Sequence, residues 1–197
     1  MDIAILGGTF DPPHYGHLMI AEEVLHACSL DAVWFMPSPS PPHKTGEVIS
    51  DSRHRIEMVR MAIADNDSFR LSLMEFEREG PSYTYDTIKK LADDYPEDRF
   101  FFLIGADMVE DLPNWHRVDE LVQLVSFIGV GRPGFSLNSK YGQYIREVEV
   151  PGFEISASFL RRRFSKNGNT RYFLPDNVRN YIREKGLYGQ GDRVENC

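Results

Sequence analysis

The chain has 197 residues, which suits one domain with at most a small appendage. Apolar residues make up 42% of it and aromatic residues 12%, so the chain can bury a sizeable core and is not a disordered protein. Its net charge of −8 excludes a general nucleic-acid binder, which needs a basic surface, but permits a small phosphorylated ligand held by a few local cations.

The first half of the chain alternates short apolar segments with helical patterns. Strands are predicted at 3–6, 32–36 and, by alternation, at 69–73. Helices are predicted over 17–28, 52–64 and 85–95. The second of these helices is predicted to face inward with Ile56, Val59 and Ile63. The proline-rich segment 37–50 is predicted to be a loop, because proline disrupts both helices and central strands.

The second half continues the alternation. The segment 100–104 is the most apolar and predicts a central strand, followed by strands at 124–130 and 148–150. Helices are predicted over 156–164 and 176–185, with Ser156 and Asp176 as N-caps and Gly186 as the stop. We expect residues 1–188 to form a single domain and the polar residues 189–197 to be a flexible tail.

This order of elements predicts an α/β fold. Because the strands are nearly continuous apolar runs between helices, we expect a doubly wound, mainly parallel sheet of five to six strands, with a small helical part at the C-terminus. Such sheets bind ligands beyond the carboxyl ends of their strands. The loops at 7–16, 37–44, 105–107 and 131–134 begin at those ends, so we expect them to converge on one edge.

The segment GGTFDPPHYGHL, residues 7–18, has the features of a phosphate-binding turn. His14 and His17 stand at the start of a predicted helix, behind a glycine-rich turn whose N–H groups attract anions. Imidazoles in that position can donate hydrogen bonds to phosphate oxygens. A structural role is the usual one for a lone histidine, and zinc would need a third ligand, for which His26 and His43 are badly placed.

Two segments carry a resemblance to a known superfamily. GTFDPPHYGHL resembles the G-x-F-x-P-x-H-x-G-H signature of the nucleotidyltransferases, and ISASFLR, residues 155–161, resembles their second signature, I-S-S/T-x-x-x-R. Ala157 stands where the family often has a second serine. Segments 34–44, 77–87, 104–115 and 131–134 narrow the resemblance to the bacterial nicotinate-mononucleotide adenylyltransferases, over nearly the whole chain.

The resemblance implies a Rossmann-like nucleotidyltransferase fold and an activity in NAD biosynthesis. The reaction would join ATP and nicotinate mononucleotide into nicotinate adenine dinucleotide and pyrophosphate. Mg²⁺ would accompany ATP, held mostly by phosphate oxygens and water, so no protein ligand is assigned to it. No nucleic-acid partner is expected, and a homodimer is left open.

The resemblance also assigns site residues. The expected ATP-binding residues are Gly8, Thr9, Phe10, His14, His17, Gly105, Asp107, Arg132, Ile155, Ser156, Ser158 and Arg161. The expected residues for nicotinate mononucleotide are Thr9, Lys44, Tyr83, Thr84 and Trp115. His14, His17, Lys44 and Arg161 are expected to act on the reacting phosphates. Structural roles stay open for several of them: Lys44 as a solvated loop residue, Asp107 as a helix N-cap and Trp115 as a core anchor.

Two other functions are compatible with the same residues, one enzymatic and one non-catalytic. A sister enzyme acting on nicotinamide mononucleotide or phosphopantetheine would share both signatures but lack the combination of 82–84 and 105–115. A non-catalytic nucleotide sensor would be expected to lose its phosphate-contacting groups, and this chain has the full set. The two cysteines, Cys28 and Cys197, imply no disulfide framework, and no signal peptide or membrane-length segment is found, so we expect a cytoplasmic protein without a membrane partner.

Overall fold

A computed structural model describes residues 1–39, 49–77, 82–131, 140–152 and 154–189, apart from the side chain of Asp107. Within these residues, the strands are β1 (Asp2–Gly8), β2 (Ala32–Pro37), β3 (Phe69–Leu71), β4 (Arg99–Gly105), β5 (Ser126–Gly131) and β6 (Ile145–Glu149). The α-helices are α1 (Tyr15–Ala27), α2 (Ser52–Ala62), α3 (Thr84–Asp94), α4 (Ala106–Asp111), α5 (Val118–Leu124), α6 (Ala157–Ser165) and α7 (Asp176–Glu184).

The strands form one parallel sheet in the order β3-β2-β1-β4-β5-β6. Strands β1 and β4 lie side by side at the centre. Strands β2 and β3 follow on the side of β1, and β5 and β6 follow on the side of β4. In this register Gly8 pairs with Pro37, and Gly105 pairs with Val130, so the carboxyl ends of the strands share one edge. The prediction of a doubly wound parallel sheet is confirmed, and the crevice for a ligand lies between β1 and β4.

Helices cover both faces of the sheet because its strands are apolar on both sides. On one face, α1, α2, α6 and α7 pack over a core that includes Phe35, Leu103 and Ile128. On the other face, α3, α4 and α5 pack over Ile5, Phe102 and Phe127. The predicted helical part at the C-terminus is present, and it belongs to the first core. No helix among the described residues is both long and apolar enough to cross a bilayer.

Three boundary predictions were wrong. The strand predicted at 124–130 begins at Ser126, because Val118, Leu121 and Val122 give the preceding residues a buried helical face that ends at Leu124. The strand predicted at 148–150 spans Ile145–Glu149. Asp176 is the first residue of α7, and Pro175 holds the N-cap position.

The predicted N-cap Ser156 and the predicted stop Gly186 agree with the structure. Ser156 caps α6, since its side chain accepts a hydrogen bond from the Phe159 N–H. Gly186, with φ of 61°, follows the end of α7 in the left-handed conformation that glycine adopts readily.

Candidate active site

The loop after β1 is shaped by a buried aromatic ring. Phe10 is 2% exposed and has a φ of 50°, and its ring packs against Phe35 and against the edge of His17, with centroids 5.8 and 5.0 Å away. A Cβ on Gly8 would lie 3.1 Å from this ring, so the position favours glycine. The Phe10 side chain therefore belongs to the core beneath His17, and only its backbone is left to face a ligand.

His14 and His17 form a stacked pair. Helix α1 begins at Tyr15, two residues before its predicted start, which makes His14 the N-cap and puts His17 in the first turn. The ring centroids are 3.7 Å apart, and the His14 backbone N–H donates to His17 Nδ1 at 3.2 Å. Because Nδ1 of His17 accepts this bond, a neutral His17 ring carries its proton on Nε2 and can donate from there.

Burial keeps both rings uncharged at neutral pH. It lowers the pKa of His14 to about 4, and it lowers the pKa of His17 well below the ordinary value, with a further contribution from the neighbouring His14. The pair therefore offers N–H donors and no fixed positive charge in the free protein. The approach of a triphosphate would favour protonation of these rings.

Gly16 leaves room for the ring of His14. A Cβ at this position would lie 3.0 Å from Nδ1 of His14 and 3.9 Å from the carbonyl oxygen of Ile155. The first distance is tighter than almost all contacts of real Cβ atoms, so the His14 ring would have to shift slightly, whereas the second is an ordinary contact. Glycine at residue 16 thus lets the His14 ring lie close against the first turn of α1.

The second signature reaches the loop through Arg161. This side chain extends from α6, and its Nη1 donates to the carbonyl oxygen of Asp11 at 3.0 Å, across 150 residues of sequence. Its Nη2 lies 3.4 Å from Oγ of Ser158. Ser156 and Ser158 are exposed, and Ile155 is partly buried against the core. The structure thus brings together the histidine pair, Arg161 and the N-terminus of α6, a helix end that favours anions.

Arg55, which the sequence analysis missed, is fixed beneath this loop. It is 1% exposed, and its guanidinium donates to the carbonyl oxygens of Thr9 (2.9 Å), Ser38 (2.7 Å), Pro39 (3.2 Å) and Ser50 (3.1 Å). These carbonyls lie in the loop after β1 and on both sides of segment 40–48. Arg55 therefore ties the loop after β1 to Ser38, Pro39 and Ser50.

The inward face predicted for α2 was right for Val59 and Ile63 and wrong for Ile56, which is only partly buried. The buried residues of the helix are Arg55, Met58, Val59 and Ala62, and Ile63 is buried at the C-cap position. Spacings of three and four residues between 55, 58, 59 and 62 are the signal that could have revealed Arg55. Because Ile56 is apolar and Arg55 is charged, Ile56 was predicted to face inward in place of Arg55.

Tyr83 and Trp115, both predicted to contact the pyridine ring, each pack against other aromatic side chains. Tyr83 immediately precedes α3, whose first residue is Thr84, and its ring centroid lies 4.5 Å from that of His116. The neighbouring Trp115 is partly buried, with Phe102 and Phe127 edge-on to its ring at 6.0 and 6.2 Å. Trp115 therefore acts as an anchor on the core, and His116 is an aromatic neighbour of Tyr83 that the sequence analysis did not consider.

The remaining predicted residues differ in how far the structure describes them. Gly105 ends β4 and holds the N-cap position of α4, next to the crevice. Asp107 is the second residue of α4, so its alternative reading as the N-cap was wrong, and its side chain is outside the described atoms. Lys44 and Arg132 lie outside the described residues. In the described ranges, no group of three or more His, Cys, Asp or Glu side chains is placed to hold a metal ion.

Known proteins resemble this chain along almost its full length. Residues 5–163 match the cytidylyltransferase-like family. A nicotinate-nucleotide adenylyltransferase from Bacillus subtilis is 53% identical over 186 residues, which cover 94% of this chain and 97% of that protein. The chain belongs to the nicotinate-nucleotide adenylyltransferase family. A further relative, named a probable nicotinate-nucleotide adenylyltransferase of Geobacillus thermodenitrificans, is 54% identical over 99% of this chain and 89% of its own length.

Solved structures show the same fold at lower identity. Two structures of Plasmodium falciparum nicotinic acid mononucleotide adenylyltransferase, one complexed with NaAD and one with APC, have TM-scores of 0.80 and 0.79. They are 23% and 22% identical to this chain, and each covers 95% of it, with 97% and 96% of their own chains matched. These solved structures share the fold of this chain. Both signatures, which Arg161 connects through the carbonyl oxygen of Asp11, lie inside the segment 5–163 that matches the family.

Proposed function

We propose that this protein transfers the adenylyl group of ATP to nicotinate mononucleotide, giving nicotinate adenine dinucleotide and pyrophosphate in NAD biosynthesis. The observation that carries the proposal is the meeting of His14, His17 and Arg161 at the carboxyl end of β1. The identity of more than half of the aligned residues with a nicotinate-nucleotide adenylyltransferase supports the choice of substrates.

The chemistry asks for positioning and charge stabilisation. A phosphate oxygen of nicotinate mononucleotide forms a bond to the α-phosphorus of ATP. The bond between that phosphorus and the oxygen bridging to the β-phosphate breaks, and pyrophosphate leaves. Since the attacking phosphate is ionised at neutral pH, no general base is needed, and the site contributes by aligning the phosphates and stabilising their charge.

The site residues divide this work by their chemistry. His17 donates from Nε2 and His14 from its ring to the α- and β-phosphates, while Arg161 supplies a fixed positive charge. Ser156 and Ser158 add hydroxyl groups at the N-terminus of α6.

Other predicted ATP contacts come from segments around this centre. The backbone at Gly8, Thr9 and Phe10 faces the phosphates. Ile155, the first residue of the second signature, is a further proposed ATP contact. Gly105 and Asp107 border the adenosine. Lys44 and Arg132 are proposed as further phosphate contacts. Mg²⁺ enters with the triphosphate, held by phosphate oxygens and water, and supplies charge neutralisation.

Tyr83, Thr84 and Trp115 are proposed to select the nicotinate ring. The ring is cationic at its nitrogen, which suits contact with an aromatic face. The first N–H groups of α3, which have no acceptor within the helix itself, can donate to the ring carboxylate, which the amide form lacks. A donor-rich pocket therefore favours the acid over the amide.

The experiment is pyrophosphate release from ATP and Mg²⁺ with nicotinate mononucleotide, nicotinamide mononucleotide and phosphopantetheine as rival acceptors. We expect turnover with the acid form and a loss of at least about 100-fold for His17→Ala. His26→Ala is the matched control, because His26 lies on the exposed side of α1 and bonds only to Glu22 among the described residues. Turnover with only one of the other acceptors would show that this acceptor, and not nicotinate mononucleotide, is the substrate. ATP binding without turnover on any acceptor would favour a nucleotide sensor.

A further inference from the structure

The carboxylate of Asp11 joins three distant parts of the chain beside the histidine pair. Asp11 is 1% exposed. Its Oδ1 accepts a hydrogen bond from the Tyr188 hydroxyl at 2.8 Å, and its Oδ2 accepts one from the Ser50 N–H at 3.1 Å. Its backbone carbonyl accepts the bond from Arg161 described above. A buried carboxylate needs such donors, so the orientation of Asp11 depends on all of these segments.

Tyr188 comes from a part of the chain that the family match does not include. It follows α7, and the matched segment ends at residue 163. Its ring packs against Phe164 in the first core, with centroids 5.9 Å apart, and its φ of 68° is unfavourable for a residue with a side chain. Contacts made by the ring and the hydroxyl compensate for this backbone conformation.

The hydroxyl of Tyr188 is a permanent donor in this setting. Burial and the neighbouring negative charge of Asp11 raise the pKa of Tyr188 above its ordinary value. The Arg55 guanidinium contributes the opposite charge nearby and holds the carbonyl oxygens of Thr9 and Ser50. The loop after β1 is thus fixed at two points. The side chain of Asp11 is held by its donors, and the backbone carbonyl of Thr9 is held by Arg55.

We propose that Tyr188 is a positioning residue for adenylyl transfer, which acts through Asp11 on the loop that carries His14 and on Arg161. The inference rests on the proposed function and assigns Tyr188 no contact with substrate. Loss of the hydroxyl would leave Oδ1 of Asp11 without its donor. The carboxylate would then turn toward another donor and shift the carbonyl oxygen that holds Arg161. Displacements of about 1 Å in a phosphate site are enough to lower the rate.

The test is Tyr188→Phe, which removes one oxygen atom and keeps the ring. Tyr181→Phe is the matched control, because the Tyr181 hydroxyl is 2.8 Å from Nδ1 of His54 and also connects the C-terminal part to α2, with no hydrogen bond to the loop among the described residues. We expect kcat/KM for ATP to fall about tenfold in Tyr188→Phe, as for loss of a hydrogen bond to a charged group. KM for ATP should rise at least about threefold and KM for nicotinate mononucleotide less than about twofold.

Other outcomes separate positioning from stability. A purely structural role would reduce the active fraction and leave both KM values unchanged, which would overturn the proposal, as would equal losses in Tyr181→Phe. In an Asp11→Asn background, Tyr188→Phe should have little further effect, because both changes act on one contact. Calorimetric binding of ATP, expected to weaken at least about threefold in Tyr188→Phe, tests the proposal even if wild-type turnover fails and the proposed function is wrong.

Discussion

At the scale of single residues, the space around Gly16 shows how the histidine pair is held. Gly16 does not adopt a positive φ, so a turn conformation is not the reason for glycine there. The reason is the His14 ring, whose Nδ1 would lie only 3.0 Å from a Cβ at this position. The stacked arrangement of the two imidazoles therefore depends on a missing methyl group in the first turn of α1.

Gly16→Ala should reduce activity while leaving the helix intact. Alanine favours a helix more than glycine does, so the free energy of unfolding should change by less than about 1 kcal/mol. The new methyl group must displace the His14 ring, and we expect pyrophosphate release to fall at least about tenfold. Unfolding in urea and steady-state kinetics on the same preparation separate the two effects. Wild-type rates in this variant would show that the ring moves without consequence.

The histidine pair could be predicted from sequence, whereas its supports could not. His14 and His17 lie in one short segment, so a local pattern reveals them. Asp11 and Tyr188 are 177 residues apart, and Thr9 and Arg55 are 46 apart, so only the folded chain brings them together. A buried arginine in an otherwise apolar helix face is also an exception to the composition of cores. A local pattern therefore reveals the proposed phosphate donors and misses the groups that hold them.

At the scale of elements, the parallel sheet could be predicted from the pattern more easily than the helix boundaries. The strands are apolar runs, so their existence and parallel pairing could be predicted. Helix α5 was missed because its buried face, Val118, Leu121 and Val122, is followed by the apolar run of β5, which begins only two residues after the helix ends. When a helix and a strand follow each other in one hydrophobic segment, neither the helical nor the strand spacing of apolar residues is clear across it.

The N-cap of α6 supports a prediction at the same scale. Ser156→Ala removes the acceptor for the Phe159 N–H and should lower the free energy of unfolding by about 1 kcal/mol. Ser165→Ala is the control at the other end of α6, where the hydroxyl donates to the exposed carbonyl of Arg162, and it should change stability by less than about 0.5 kcal/mol. Urea denaturation of the two variants measures the difference. Equal effects would mean that the cap contributes nothing specific.

At the scale of the whole molecule, the fold places uncharged histidines where a polyanion is to bind. The chain is acidic, with a net charge of −8, and its long-range field does not attract ATP. Binding must therefore come from local donors at the crevice between β1 and β4. Keeping the two imidazoles buried and neutral in the free protein makes the folded state sensitive to acid.

This sensitivity has a definite sign. The pKa of His14 is about 4 in the folded protein and 6.5 when unfolded, so between these values the unfolded chain binds more protons. Stability is therefore lost as the pH falls through this window, and His17 acts in the same direction. From pH 7 to pH 5, we expect His14 alone to lower the free energy of unfolding by about 2 kcal/mol.

Urea unfolding at several pH values between 7 and 5 measures this loss. His14→Gln should remove His14's share of it, whereas His26→Gln should retain the wild-type slope, because the His26 side chain is 76% exposed. ATP added at pH 5 should restore stability by binding only the folded state, and more so if the rings take up protons against its phosphates. An identical slope in His14→Gln and wild type would show that the acid sensitivity arises from carboxylates elsewhere, and that the histidine pair is not the electrostatic weak point of the fold.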